Sequence, residues 1–400
     1  MLFVLLTLVG SLWTGEYGNR IGESDKRLIK TGPGRYGVIE EKDKVKIKKS
    51  GIGFVDVTNK ISVHEEVERG SLERVDRSFL DYVVLLGAKQ IKQLQRPVPK
   101  YEYPKRAYFK SKVDQINSWI DLEFMSSRLG YFSSFYSRYY RSRYGYESAL
   151  WLKQQVNEII RDSGSNISIE TFEHEGWEQF SIIVRMQGEN QEKVVISSHQ
   201  DSINLLFPKL LRAPGADDNG SGTITCLEAL RLLSSEYGKE FKPRNTLEFH
   251  FYSAEEGGLL GSMDIFDKYF KSHEVVLGLL QQDMTGYSAG TKTANAEPHF
   301  GLIEDYTSSH LNEFVKVMIH EYCEIPYHTT HCGYACSDHA SAIEYGYPAS
   351  FVCESEIKYD SKFIHTVLDT QDRLDLELIA QHVKLTVAFA FELSMALIHH

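Results

Sequence analysis

Cysteine is scarce in this chain of 400 residues: Cys226, Cys323, Cys332, Cys336 and Cys353 are all it has, too few for a disulfide-built scaffold, although a secretory route permits one bridge. Cys332 and Cys336, in H-C-G-Y-A-C-S, are the evident pair; a metal-binding pair is the competing reading, but no second Cys or His pair at suitable spacing accompanies it. Positive charge is short as well. With 44 Lys and Arg against 55 Asp and Glu the net charge is -11, which argues against a nucleic-acid partner, because phosphate binding relies on clustered cations. Long apolar runs are also missing. Met1 to about Gly15 is too short to span a bilayer, and Leu385 to Ile398 is broken by Glu392 and reads as a buried closing helix. Internal repeats and low-complexity tracts are absent. At 42% hydrophobic and 25% charged residues the chain is not generally disordered and holds enough apolar surface for one large domain plus an appendage.

What is present begins with residues 1–15, an apolar stretch followed by small residues and then charges, read as a cleaved secretory signal. It lacks a basic leading region, so an uncleaved anchor is the alternative. The expectation is a secreted or vacuolar protein, monomeric and free of the membrane once the signal is gone. Residues 16–100 carry 18 Lys and Arg against 13 Asp and Glu, a net charge of +5, and end in the proline-containing R96-P-V-P-K-Y-E-Y-P104. A basic segment ahead of an acidic domain suggests a separate pro-segment docked on residues 101–400; an ordinary extension with chance charge asymmetry is the other reading. Tyr136 to Tyr146, with Arg138, Arg141 and Arg143, is read as an amphipathic helix with a solvated face.

Beyond residue 160, strand-like and helix-like stretches alternate. Ser168 to Glu173, Gln179 to Met186, Glu192 to Ser198, Thr246 to Ser253, Val275 to Gln281 and Ala349 to Glu354 read as strands; Ile224 to Ser234, with Ser221 as its cap, and Ser309 to Tyr322 read as helices. The pattern is that of an α/β domain with a mixed, largely parallel sheet and helices on both faces, in which ligands bind beyond the carboxyl ends of the strands.

The strand ends carry the chemistry. The first offers H199-Q-D201, where residues two apart face the same way, so His199 can ligate a metal with Asp201 beside it as an orienting carboxylate. A turn, A213-P-G-A-D-D-N-G-S-G222, puts Asp217 and Asp218 at the mouth of the sheet. Next come S253-A-E-E-G-G and Q281-Q-D283, and F363-I-H-T adds His365 from a late loop. Two histidines with three carboxylates are the donor set of a zinc pair. Two ions sharing a water lower its pKa and hold the carbonyl it attacks; Glu255 is placed to take the proton and Tyr334 to stabilise the oxyanion.

With those pieces in hand, the chain resembles the secreted di-zinc leucine aminopeptidases of bacteria and fungi, a family of zinc exopeptidases. H199-Q-D201, A213-P-G-A-D-D-N-G-S-G222, S253-A-E-E-G257, L280-Q-Q-D-M-T-G286, C332-G-Y-A-C-S-D-H-A340 and I364-H-T366 occur in the family's order across roughly residues 110–398. The resemblance implies two zinc ions per chain: Asp218 bridging, His199 and Asp283 completing one site, Glu256 and His365 the other. It implies Glu255 as general base and acid, Asp201 orienting His199, Tyr334 stabilising the tetrahedral intermediate, a Cys332–Cys336 disulfide, and an inhibitory role for the pro-segment. Substrates are peptides with a free amino terminus. Met284, Tyr334, Phe351, Ile357 and Ile364 are implied to line the side-chain pocket, with Cys353 where relatives have an aromatic residue, a change that enlarges it.

Two other readings remain open. A carboxypeptidase or dipeptidase on the same scaffold needs a basic residue for the substrate carboxylate. A catalytically silent binding module predicts loss of a ligand or of the base. Asn166-Ile-Ser168 is a plausible glycosylation sequon.

Overall fold

The computed structural model describes residues 26–32, 35–58, 71–73, 82–85, 96–163, 167–239 and 241–398; the expected signal and Asn166 lie outside them. An amino-terminal lobe comes first: β1 Lys26–Gly32, β2 Arg35–Glu40, α1 Lys44–Lys49, β3 Val55–Asp56, β4 Ser71–Glu73 and β5 Tyr82–Leu85. Its strands pair antiparallel in the order β3-β1-β2-β5-β4. Ile29, Ile39, Ile47 and Phe54 form a small core of their own, joining the sheet to α1.

The large body contains α2 Lys110–Asn117, α3 Leu122–Phe132, α4 Arg143–Ser163, β6 Ser168–Phe172, β7 Ser181–Met186, β8 Asn190–His199, α5 Gly222–Glu236 and β9 Asn245–Tyr252. It continues with α6 Leu260–Lys271, β10 Val276–Gln282, α7 Ala289–Thr293, β11 Phe300–Ile303, α8 Ser309–Tyr322, β12 Tyr327–Thr330, α9 His339–Glu344, β13 Ala349–Cys353 and α10 Leu376–Met395. The sheet order is β12-β11-β13-β10-β8-β9-β7-β6. Its centre, β13-β10-β8-β9, is parallel, and antiparallel pairs lie to either side. All six expected strands are present, as are the helices expected at Ile224 to Ser234, at Ser309 to Tyr322 and at the carboxyl-terminal closing stretch; β11 and β12, only four residues each, were not foreseen.

Alternation along β8 explains the layering. Val194 and Ile196 enter the core shared with α4, α5, α8 and α10, whereas Val195 faces the opposite side with residues of α6 and α9 and with Leu28, Tyr36 and Val38 of the lobe. Each such buried aliphatic side chain stabilises the fold by roughly 1.5–3 kcal/mol. Helices therefore cover both faces, and the lobe extends the cover on one. The closing helix α10 is buried despite Glu392, whose carboxylate accepts from the N–H groups of Tyr108 and Phe109 and from the Tyr322 hydroxyl.

Two expectations are corrected. Residues 136–142 are not helical, and Arg138 is fully buried, with its ring of donors turned to backbone oxygens of Gln200, Pro214 and Gly215. The basic cluster there thus serves the interior, because three converging carbonyls satisfy a guanidinium that water cannot reach. Ser221 sits at the start of α5 without capping it; its hydroxyl donates back to the Asp217 carbonyl at 2.8 Å instead.

Candidate metal centre

β8, β9 and β10 end side by side, and their carboxyl ends deliver His199, the Glu255–Glu256 pair and Asp283 to one place. The turn before α5 brings Asp218, and the loop after β13 brings His365. His199 Nε2 lies 3.3 Å from Asp218 Oδ1 and 3.3 Å from Asp283 Oδ1. His365 Nε2 lies 2.9 Å from Asp218 Oδ2 and 3.2 Å from Glu256 Oε1. Two donor triads thus share Asp218, one carboxylate oxygen turned to each.

The donors fit metal ions by a criterion independent of sequence. His199 Nε2, Asp283 Oδ1 and Glu256 Oε1 are buried and have no hydrogen-bond partner among the described residues, whereas buried polar atoms are normally paired. A divalent cation at each triad would satisfy them, and mixed imidazole and carboxylate donors are those zinc takes. Among the described residues a third cluster, His299, His328 and Glu356, lies within ligating reach, but its donors already have partners: His299 Nδ1 lies 2.7 Å from the Glu297 carbonyl, His299 Nε2 accepts the Glu356 N–H at 3.3 Å, and His328 Nδ1 lies 3.2 Å from Glu356 Oε2.

Neighbours hold these groups in position. Asp201 accepts the N–H of Glu255 at 3.0 Å and of Glu256 at 3.1 Å, and its Oδ1 lies 3.4 Å from His199 Nδ1. Asp369 does the same for the turn, accepting from Asp217 N at 2.9 Å and Asp218 N at 3.1 Å. Ser337 donates to Asp283 Oδ2 at 2.6 Å and is itself held by Gln281, which takes a hydrogen bond from Ser197. Asp369, Ser337 and Gln281 all stand inside or beside the recognised motifs, yet nothing in their spacing set them apart from ordinary polar positions.

Electrostatics follow from burial and crowding. Burial, with the adjacent Glu256 charge, raises the pKa of Glu255 well above the usual carboxylate range, although Lys48 and His199 oppose it. Burial opposes the charge on Asp218 too, but His365 and His199 overcome it and hold its pKa low. Asp217 is pushed up to about 8 by burial and then by Asp369. Arg138 supplies a cation beneath this acidic group, and burial brings its pKa down to about 10.

A cavity of about 320 Å³ opens beside the triads, lined by Met284, Tyr334, Phe351, Cys353, Ile357 and Ile364, all six expected there. Cys332 and Cys336, in its wall, are joined by a disulfide with S–S 2.04 Å. Lys48 and the stretch Gly51 to Phe54 of the lobe also line it, a contribution that sequence reasoning missed.

Residues 181–390 match the model of peptidase family M28. The chain belongs to that family. A probable aminopeptidase of Saccharomyces cerevisiae is 42% identical to this M28 chain over 98% of it and 97% of the relative. Leucine aminopeptidase 1 of Coccidioides posadasii is 43% identical over 94% of this chain and 91% of its own. Among solved structures, the LapA aminopeptidase of Legionella pneumophila is similar at TM-score 0.75 and 26% identity, covering 93% of this M28 chain and 99% of that one.

Proposed function

We propose that the chain removes amino-terminal residues, Leu-like or otherwise apolar, from peptides by zinc-dependent hydrolysis. The observation that carries this reading is the pair of triads meeting at Asp218, with Glu255, a member of neither, beside them in the wall of the cavity. His199, Asp218 and Asp283 would hold one ion and Asp218, Glu256 and His365 the other. Ions held there would supply activation of the attacking water and polarisation of the scissile carbonyl.

The chain's own residues do the rest. Glu255 accepts a proton at its carboxylate and returns it to the leaving amine, a task suited to a carboxyl whose burial has raised its proton affinity. Asp201 orients His199 and, through two backbone N–H groups, both glutamates. Tyr334, whose pKa burial pushes up to about 12, keeps its hydroxyl proton and donates it towards the developing oxyanion. Met284, Phe351, Cys353, Ile357 and Ile364 give the substrate side chain an apolar wall. The names of the fungal relatives support the Leu-like preference.

Lys48 is the one Lys or Arg among the described lining residues, and it comes from the lobe. Among the described residues the body therefore offers the cavity no Lys or Arg to grip a substrate carboxylate, which favours an aminopeptidase over a carboxypeptidase. The lobe, seated in the mouth, acts as an inhibitory pro-segment of a secreted, monomeric enzyme.

Aminoacyl amides assayed after removal of the lobe provide the test. Free-amine leucyl amide should be hydrolysed and its amine-blocked form should not; activity should vanish on chelation and return with zinc. Equal turnover of the blocked amide would defeat the exopeptidase assignment.

A further inference from the structure

Among the described residues the lobe presents one charged side chain to the catalytic groups. Of the lysines in α1, Lys44 turns inward to Asp56 at 2.7 Å and Glu41 at 2.9 Å. Lys48 points the other way. Its Nζ lies 2.8 Å from Glu256 Oε2 and 3.8 Å from Glu255 Oε2.

This placement is built rather than incidental. Directly after α1, Gly53 lies so close to Tyr334 that a Cβ there would meet the ring at 1.8 Å. Phe54 packs on Gly258, where an added Cβ would come within 2.8 Å of the ring, and the Asp56 N–H donates to the Gly258 carbonyl at 3.0 Å. Around the mouth, Glu41 pairs with Arg141 at 3.0 Å, Lys30 pairs with Glu344, and Lys49 donates to the Leu206 carbonyl at 2.9 Å. These contacts fix the backbone of α1, and the Lys48 ammonium is carried to the glutamates with it.

Lys48 also discriminates between the two triads. Among the five donor side chains it pairs with Glu256 alone, and it takes the oxygen of Glu256 that does not face His365. Of the carboxylates in that set, neither Asp218 nor Asp283 pairs with it. A fixed ammonium and a divalent ion that share one carboxylate in a buried site repel strongly, because little water screens them.

We propose that Lys48 is a built-in competitor of the second metal ion: with the lobe docked, its ammonium and a cation at Asp218, Glu256 and His365 exclude each other, while the triad of His199, Asp218 and Asp283 stays open. This rests on the two-ion reading above. Because binding linkage is reciprocal, an ion that enters the second triad weakens lobe docking by the same factor by which the docked lobe weakens the ion. The lobe thus blocks the enzyme by geometry at Tyr334 and by charge at Glu256.

Equilibrium dialysis of the full chain against buffered zinc tests this, with Lys48→Met removing the charge at similar volume and Lys48→Arg keeping it. Near-ultraviolet circular dichroism verifies that each variant is folded. The parent and Lys48→Arg should bind one ion tightly and the second at least ~10-fold more weakly, whereas Lys48→Met should tighten the second ion ~10-fold or more. If the parent and Lys48→Met bind two ions with equal affinities, the competitor role is overturned and the two-ion reading stands. If Lys48→Met stops at one ion, and His365→Ala in that background changes neither stoichiometry nor affinity, the two-ion reading fails and takes this inference with it.

Discussion

Asp201 holds Glu255 by its backbone and not by its side chain: the Glu255 N–H donates to Asp201 Oδ1 at 3.0 Å, so that the Glu255 carboxylate faces the cavity, where Lys48 Nζ lies 3.8 Å away. Its other oxygen does the same for Glu256. In Asp201→Asn an amide nitrogen replaces one acceptor, so one glutamate N–H loses its partner. The expected result is a fall of about 10–100-fold in both zinc affinity and kcat, read by zinc titration and leucyl-amide kinetics on the lobe-free enzyme. Unchanged values for both would remove Asp201 from the positioning role.

Gly53 tests the seating of the lobe. In Gly53→Val the new side chain would overlap the Tyr334 ring, and overpacking of that kind costs about 1–3 kcal/mol. The full-length variant should therefore hydrolyse leucyl amide roughly tenfold or more faster than the full-length parent. Limited proteolysis should then raise parent activity strongly and variant activity little. If full-length parent and variant have equal rates, lobe seating at Tyr334 does not limit activity.

Arg138 bears on stability. Its guanidinium satisfies the Gln200 carbonyl at 2.9 Å, the Gly215 carbonyl at 2.7 Å and that of Pro214. The Gly215 carbonyl also accepts the Gly220 N–H at 2.9 Å, so Arg138→Met would orphan the Gln200 and Pro214 carbonyls, at on the order of 1–3 kcal/mol each. Urea unfolding should show a loss of about 3 kcal/mol or more; a loss below 1 kcal/mol would mean the carbonyls find other partners.

His382 gives the acid response a handle. Burial holds its pKa down at about 3, against about 6.5 for a solvated imidazole. The unfolded chain therefore takes up a proton between these values that the native chain refuses. Stability present above pH 6.5 is lost as pH falls towards 3, at about 1.4 kcal/mol per pH unit for this one group. His382→Gln should flatten the dependence of unfolding free energy on pH by that slope between roughly pH 6 and 4. Parallel profiles for parent and variant would show that His382 does not titrate in this way.

The legible parts of this molecule were those in which a local pattern carries its own meaning. Buried parallel strands write themselves as apolar runs, so β8, β9, β10 and β13 could be read, and the groups at their ends followed from the topology of such sheets. β11 and β12 could not, since four residues make too short a run to stand out from loop. Arg138 was misread because its partners are backbone carbonyls of residues 200 to 215, and no sequence pattern announces a carbonyl. Lys48 was hidden for a related reason: in K-V-K-I-K-K one lysine turns to Asp56 and another to Glu256, and only the packing of α1 on a distant surface separates them.

Glu392 binds the last helix of the chain to the N–H groups of Tyr108 and Phe109, and Tyr103 donates to the Leu277 carbonyl at 2.7 Å. The stretch leading into α2 is thereby sewn to both the sheet and the carboxyl-terminal helix. A proteolytic cut upstream of Tyr101 would consequently leave this seam whole. The body would keep its two ends fastened together, and the lobe would come away as a stopper does, without the vessel being opened along its side.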